Sequence, residues 1–152
     1  MREESLAPGL SGRVELTVTE SDTALAVGSG DVPVLGTPRV LALTEAATVA
    51  ALAPRIPPGS TSVGVRVELE HLSATPVGRT VVAEARLTHV QGRRLTFEVT
   101  LTEGAETAAR GRVERMLVDR RRFLDRIGPA VPGTPPDEPG PTATAGSAGG
   151  SA

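Results

Sequence analysis

The sequence predicts an α+β fold in which one helix lies on one face of an antiparallel sheet, and three observations carry that reading. A single long apolar stretch between Thr37 and Ala53 has a clear helix entry and a clear stop. Four long runs of alternating residues follow it, and each is joined to the next by a short Gly- or Pro-containing turn. Long strands joined by tight turns can only lie antiparallel.

At the N-terminal end, RVELTVT places Val14, Leu16 and Val18 on one face of a strand, and Thr23 to Val27 reads as a weaker second extended piece. Gly28 to Gly36 holds three glycines and Pro33 and reads as a loop. Thr37-Pro38 is a helix entry, because threonine caps well and proline suits the first turn. The helix runs to about Leu52 or Ala53, where Pro54 and then Pro57-Pro58-Gly59 prevent its extension. The alternating runs are Thr61 to Leu72, Arg79 to Val90, Arg93 to Leu101 and Thr107 to Val118. Arg120 to Asp125 reads as a basic helical turn. Residues 128–152, rich in Pro, Gly, Ala, Ser and Thr, read as a disordered tail behind a domain of residues 1–127.

Composition narrows the function. Sixteen Lys and Arg against eighteen Asp and Glu give a net charge of -2, with no basic stripe, so neither nucleic acid nor an anionic membrane is an expected partner. The absence of cysteine removes thiol nucleophiles and cysteine metal sites, and no cofactor is called for. No apolar leader or membrane span is visible, so a cytoplasmic protein is expected. With Phe 2, Trp 0 and Tyr 0, the core must be built from Val, Leu and Ala, which favours further burial between copies of the chain.

Two polar residues fall where side chains should be buried. Glu45 sits among Val40, Leu41, Leu43, Ala46, Ala47, Val49 and Ala50 of the helix, and burying a carboxylate costs several kcal/mol unless it is paired. In a regular strand His71 shares a face with Val63, Val65, Val67 and Leu69. An acid from a helix facing an imidazole from a sheet is an acid/base arrangement. Each residue also has a plainer account: a cap for Thr37, a boundary acid for Glu45, a strand-end histidine for His71. His89 has the same in-register placement, so alternation alone does not make a histidine catalytic.

The order of elements is similar to the hotdog fold, a curved antiparallel sheet wrapped around one central helix. GTPRVLALTEAA, PRIPPGSTSVGVRVELEHLSATPVGRTV, VQGRRLTFEVTL and GRVERMLVD resemble the fluoroacetyl-CoA thioesterase family over roughly Val14 to Phe123. The resemblance implies a thioesterase acting on an acyl-CoA, with Thr37, Glu45 and His71 as the catalytic group. It implies substrate or oxyanion contacts at Gly64 and Arg115, and a homodimer with the site between protomers. Members selective for fluoroacetyl groups resemble one another in bulky aromatics before the threonine, where this chain has GDVPVLG. The expectation is therefore a small or medium acyl-CoA, with Val32, Val34 and Leu35 lining the pocket. A non-catalytic acyl-CoA or small-acid binding module is the alternative, and a hotdog dehydratase would need an Asp/His spacing that is not found around His71 or His89.

Overall fold

The computed structural model describes residues 6–133. Five antiparallel strands, β1 (Ser11–Thr17), β2 (Ser60–His71), β3 (Thr80–Gln91), β4 (Arg94–Glu103) and β5 (Glu106–Asp119), form one sheet in the order β1-β3-β4-β5-β2. The helices are α1 (Ala24–Val27), α2 (Thr37–Leu52) and α3 (Arg120–Ile127). The α+β layer expected from the sequence is present, and all five strands touch α2. Of the expected tail, residues 134–152 lie outside the described residues.

The core sits between α2 and the concave face of the sheet. Phe97 is fully buried in it, paired across the sheet with Leu87 and Val113, and Val40, Leu43 and Leu95 belong to the same buried cluster. Two-residue turns at Gly92 (φ 61°) and Gly104 (φ 60°) close the β3–β4 and β4–β5 hairpins, and only glycine adopts that backbone without cost. Gly12 sets where the helix lies: a Cβ there would run into the Ala47 carbonyl and the Ala51 amide. α2 therefore rests directly on β1 and beside β3, and its opposite flank, towards β2, is left open.

Three expectations are corrected. Thr23 to Val27 is not extended: the Thr23 hydroxyl accepts the Ala26 amide at 3.2 Å and caps the short helix α1. β2 is not regular, because its register with β5 shifts between Gly64 and Arg66, leaving Val65 bulged out and 47% exposed. Beyond the bulge Val67, Leu69 and His71 face α2, whereas before it Ser62 and Gly64 do so. A second shift between Leu87 and His89 turns His89 out to solvent, where its ring lies 3.1 Å from the hydroxyl of its neighbour Thr88.

Candidate active site

Thr37 is the first residue of α2 rather than its cap. Gly36 is the N-cap, and the Thr37 hydroxyl makes no capping bond. It is instead 2.7 Å from Nδ1 of His71, the last residue of β2. The segment before it is fastened on both sides, with the Leu35 amide donating to Thr75 (2.8 Å) and the Gly36 amide to the Asp22 carbonyl (2.9 Å). Asp22 is a buried anchor that the sequence reading missed. Its carboxylate accepts from Arg39 Nε, the Thr19 amide and the Thr19 hydroxyl, each at 2.8 Å. Burial works against the charged form of Asp22, but those hydrogen bonds outweigh it and hold the carboxyl below its ordinary value. The Thr-x-x-Asp spacing of Thr19 and Asp22 was the available signal, since it is a capping-box pattern.

His71 is half-buried, and burial lowers its pKa below the usual 6.5, so the ring is neutral at pH 7. Its Nε2 is buried and has no hydrogen-bond partner among the described residues. A buried polar atom left unpaired is costly, so it belongs where a ligand or a second chain supplies the partner.

The second cluster lies two turns further along α2. Glu45 Oε2 accepts from Arg115 Nη1 at 3.2 Å. Arg115 is 6% exposed, and its other donors are taken by Ser62, through Nε to the hydroxyl (2.8 Å) and Nη2 to the carbonyl (3.1 Å). Burial pulls the guanidinium pKa down and the Glu45 charge opposes this, leaving Arg115 a cation at any physiological pH. A Cβ on Gly64 would collide with the Glu45 carboxylate, so glycine leaves open the space beside that oxygen. Ser62 was also missed, because a regular strand puts it on the polar face and only the bulge turns it inward.

Glu45 is less enclosed than the helix pattern suggests, with its side chain 33% exposed. The buried face of α2 is Val40, Leu43, Thr44, Ala47, Thr48, Ala51 and Leu52. Ala42, Ala46, Val49 and Ala53 are exposed around Glu45 on the open flank. Of the residues expected to line an acyl pocket, Leu35 is instead in the core, Val34 is half-buried in a bridge with Pro76, and Val32 is 49% exposed.

Within one protomer these residues form two groups, not one. Thr37 and His71 meet at the start of α2, and Glu45, Gly64 and Arg115 meet at its middle. Eight residues of helix, roughly 12 Å at 1.5 Å per residue, separate Thr37 from Glu45. Among the described residues no three His, Asp or Glu gather as metal ligands, and no helix is long and apolar enough to cross a membrane.

Residues 18–121 match a family model described as fluoroacetyl-CoA-specific thioesterase. A fluoroacetyl-CoA thioesterase from Streptantibioticus cattleyicolor is 34% identical over 99 residues, covering 65% of this chain and 71% of the relative. A solved structure of a fluoroacetyl-CoA thioesterase superposes with a TM-score of 0.76 at 28% identity, covering 82% of this chain and 96% of the other. A thioesterase superfamily member from Thermus thermophilus shares the fold at 22% identity, with a TM-score of 0.74 and coverage of 80% and 90%.

Proposed function

The chain belongs to the fluoroacetyl-CoA-specific thioesterase family, and on that premise we propose that it hydrolyses a small or medium acyl-CoA at a site completed by two copies of the chain. The observation that carries this reading is the division of the site residues into two separate groups along α2. A carboxylate and an imidazole that must act on one carbonyl cannot do so from opposite ends of a two-turn span. A second copy brings them together.

β2 ends the sheet, so one edge of a 12-residue strand is unpaired, and beside it lies the open flank of α2. Exposed strand edges of this length invite pairing. Antiparallel pairing of two β2 strands about a two-fold axis at Glu68 sets Val67 opposite Leu69 and Arg66 opposite Glu70; the two Glu68 side chains meet at the axis, each neutralised by its own Arg66 at 2.7 Å. The same register carries each His71 to the Gly64–Val65 bulge of the other copy. Two identical sites follow, each with Glu45, Gly64 and Arg115 from one protomer and Thr37 and His71 from its partner.

In such a site the thioester carbonyl lies over Gly64, whose missing side chain leaves the room and whose amide steadies the oxyanion. Arg115 fixes the carboxylate of Glu45 and adds positive charge beside the developing anion. Glu45 either attacks the acyl carbon, giving an anhydride that water opens, or takes a proton from the attacking water. Neutral His71, in the tautomer whose Nδ1–H donates to Thr37, has its Nε2 lone pair free to accept a proton and pass it to the departing CoA thiolate. The products are the free acid and CoA. The loop from Gly28 to Gly36 carries no aromatic residue, which argues against selection of the fluoroacetyl group. A CoA ester is a soluble substrate, in keeping with a cytoplasmic enzyme.

Release of free thiol from a panel of acyl-CoAs tests the activity directly. Turnover lost in both Glu45→Ala and His71→Ala, with the fold retained, is the expected result. Thermal stabilisation by CoA esters without thiol release would make the protein a binding module instead.

A further inference from the structure

Resting on that thioesterase reading, we propose that Asp22 is a positioning residue for the reaction: through Arg39 and the Gly36 amide it clamps the first turn of α2, and so holds the Thr37 hydroxyl on Nδ1 of His71. Asp22 is a buried acid that the hydrolytic steps above do not use. Its two carboxylate oxygens have separate partners. Oδ2 accepts the Thr19 amide and the Thr19 hydroxyl, which builds the turn before α1, whereas Oδ1 accepts Arg39 Nε from the far side of the Gly28 to Gly36 loop. The local turn needs the first oxygen and has no use for the second.

Thr37 lies between the two points of attachment. Gly36, just before it, donates its amide to the Asp22 carbonyl at 2.9 Å, and Arg39, just after Pro38, holds the carboxylate at 2.8 Å. The segment from Gly36 to Arg39 therefore closes a small circuit through Asp22. A second circuit closes on the other side. His71 leads on to Thr75, whose carbonyl accepts the Leu35 amide at 2.8 Å, and Leu35 leads on to Thr37, whose hydroxyl returns to His71 at 2.7 Å. Thr37 is common to both circuits. The second one fixes only the chain that enters the helix, and Gly36 has no side chain with which to cap its start. Arg39 is what stops the first turn from rolling about its axis and carrying the hydroxyl off the imidazole. Burying a carboxylate beside a cation is a poor route to stability, because desolvation offsets the attraction. Placed at the root of the helix that carries Thr37, the pair is accounted for by geometry: a shift of about 1 Å in a group that orients the reacting residues lowers turnover without loosening substrate binding.

The test uses Asp22→Asn in the full chain. The amide keeps the shape, and its one oxygen still serves Thr19, but the NH2 group that then faces Arg39 cannot accept, so the arm to α2 is cut and the local turn is kept. In thiol release from an acyl-CoA, kcat is expected to fall about tenfold with KM little changed. In a Thr37→Val background, which has no hydroxyl to position, the same substitution should change kcat less than about twofold. Arg39→Met, altered at the more exposed end of the pair, cuts the same arm and should give both results even where Asp22→Asn fails to fold. Nitrogen NMR of the imidazole reads the contact without turnover. The chain has two histidines, so His89→Gln leaves the His71 signal alone. In the neutral ring the proton should sit on Nδ1, and Asp22→Asn or Arg39→Met should move it towards Nε2, where a histidine in water prefers it. An unchanged kcat, an equal fall with and without the Thr37 hydroxyl, or a tautomer that neither substitution moves overturns the inference. A wild-type protein that cleaves no acyl-CoA overturns the thioesterase reading instead, and the tautomer then decides the positioning role by itself.

Discussion

A shared site makes a quantitative prediction for mixed dimers. Glu45→Ala removes the carboxylate from one protomer's half of a site, and His71→Ala removes the imidazole from the other half. Each homodimer lacks one group in both of its sites, and loss of an acid/base group lowers turnover by roughly 10²- to 10⁴-fold. In a heterodimer of the two variants, one site carries both substitutions and the other carries neither. Two-tag purification of that heterodimer should therefore give about half the wild-type rate per dimer. Random assembly of an equimolar mixture, with half of all dimers mixed, should give about a quarter. The assay is thiol release after co-expression or subunit exchange, with light scattering to confirm the dimer. A mixture no faster than the mean of its two parents would refute the shared site, as would a monomer that turns over.

Three further outcomes follow from the geometry. Gly64→Ala should fold with nearly wild-type stability, because the obstructing atom is the far end of the Glu45 side chain, yet lose about 100-fold in kcat by displacing that carboxylate, measured by thiol release beside urea unfolding. Arg115→Ala removes three hydrogen bonds from a buried guanidinium; with Glu45 one-third exposed and partly screened, the cost should be about 2 kcal/mol in urea unfolding, and a cost below about 0.5 kcal/mol would deny Arg115 a structural role. His71 has a folded pKa below its unfolded value, so the unfolded chain binds the extra proton: the contribution of this group to stability is complete above pH 6.5 and is lost as pH falls below it towards the folded pKa. The acidic limb of kcat/KM should likewise fall below pH 6.5 and vanish from the profile of His71→Ala, and a limb above 6.5 would contradict a buried neutral base.

How far the sequence can be read is set by the two bulges. Periodicity located α2 and the four long strands because each depends on local chemistry: Pro38 at the entry, Pro54 at the exit, Gly92 and Gly104 in the turns. Period-two alternation in Arg79 to Val90 also sets Val81, Ala83, Ala85 and Leu87 on one face, and that face is the buried one. A bulge has no such marker. One extra residue at Val65 exchanges the two faces of β2, so Ser62 and Gly64 turn towards Glu45 although strict alternation assigns them to solvent. A second at Thr88 separates the two histidines, which period two treats alike, by sending His89 outward. The resemblance to a thioesterase family supplied what alternation lacked at Gly64, but it gave no hint of Ser62 or Asp22.

Asp22 shows why the remainder was illegible. Its contact with Thr19 leaves only a local capping-box pattern, while Arg39 lies beyond the Gly28 to Gly36 loop and that contact leaves no local mark. Its work is to tie the turn before α1 to the first turn of α2. Its side chain holds Arg39 two residues past Thr37, and its carbonyl holds the Gly36 amide one residue before it. The hydroxyl that meets His71 is therefore fixed by the tertiary fold on either side. A contact held in this way depends on long-range closure of the chain, and so Thr37 stands out at a helix entry while the Asp22–Arg39 pairing that positions it leaves no local mark.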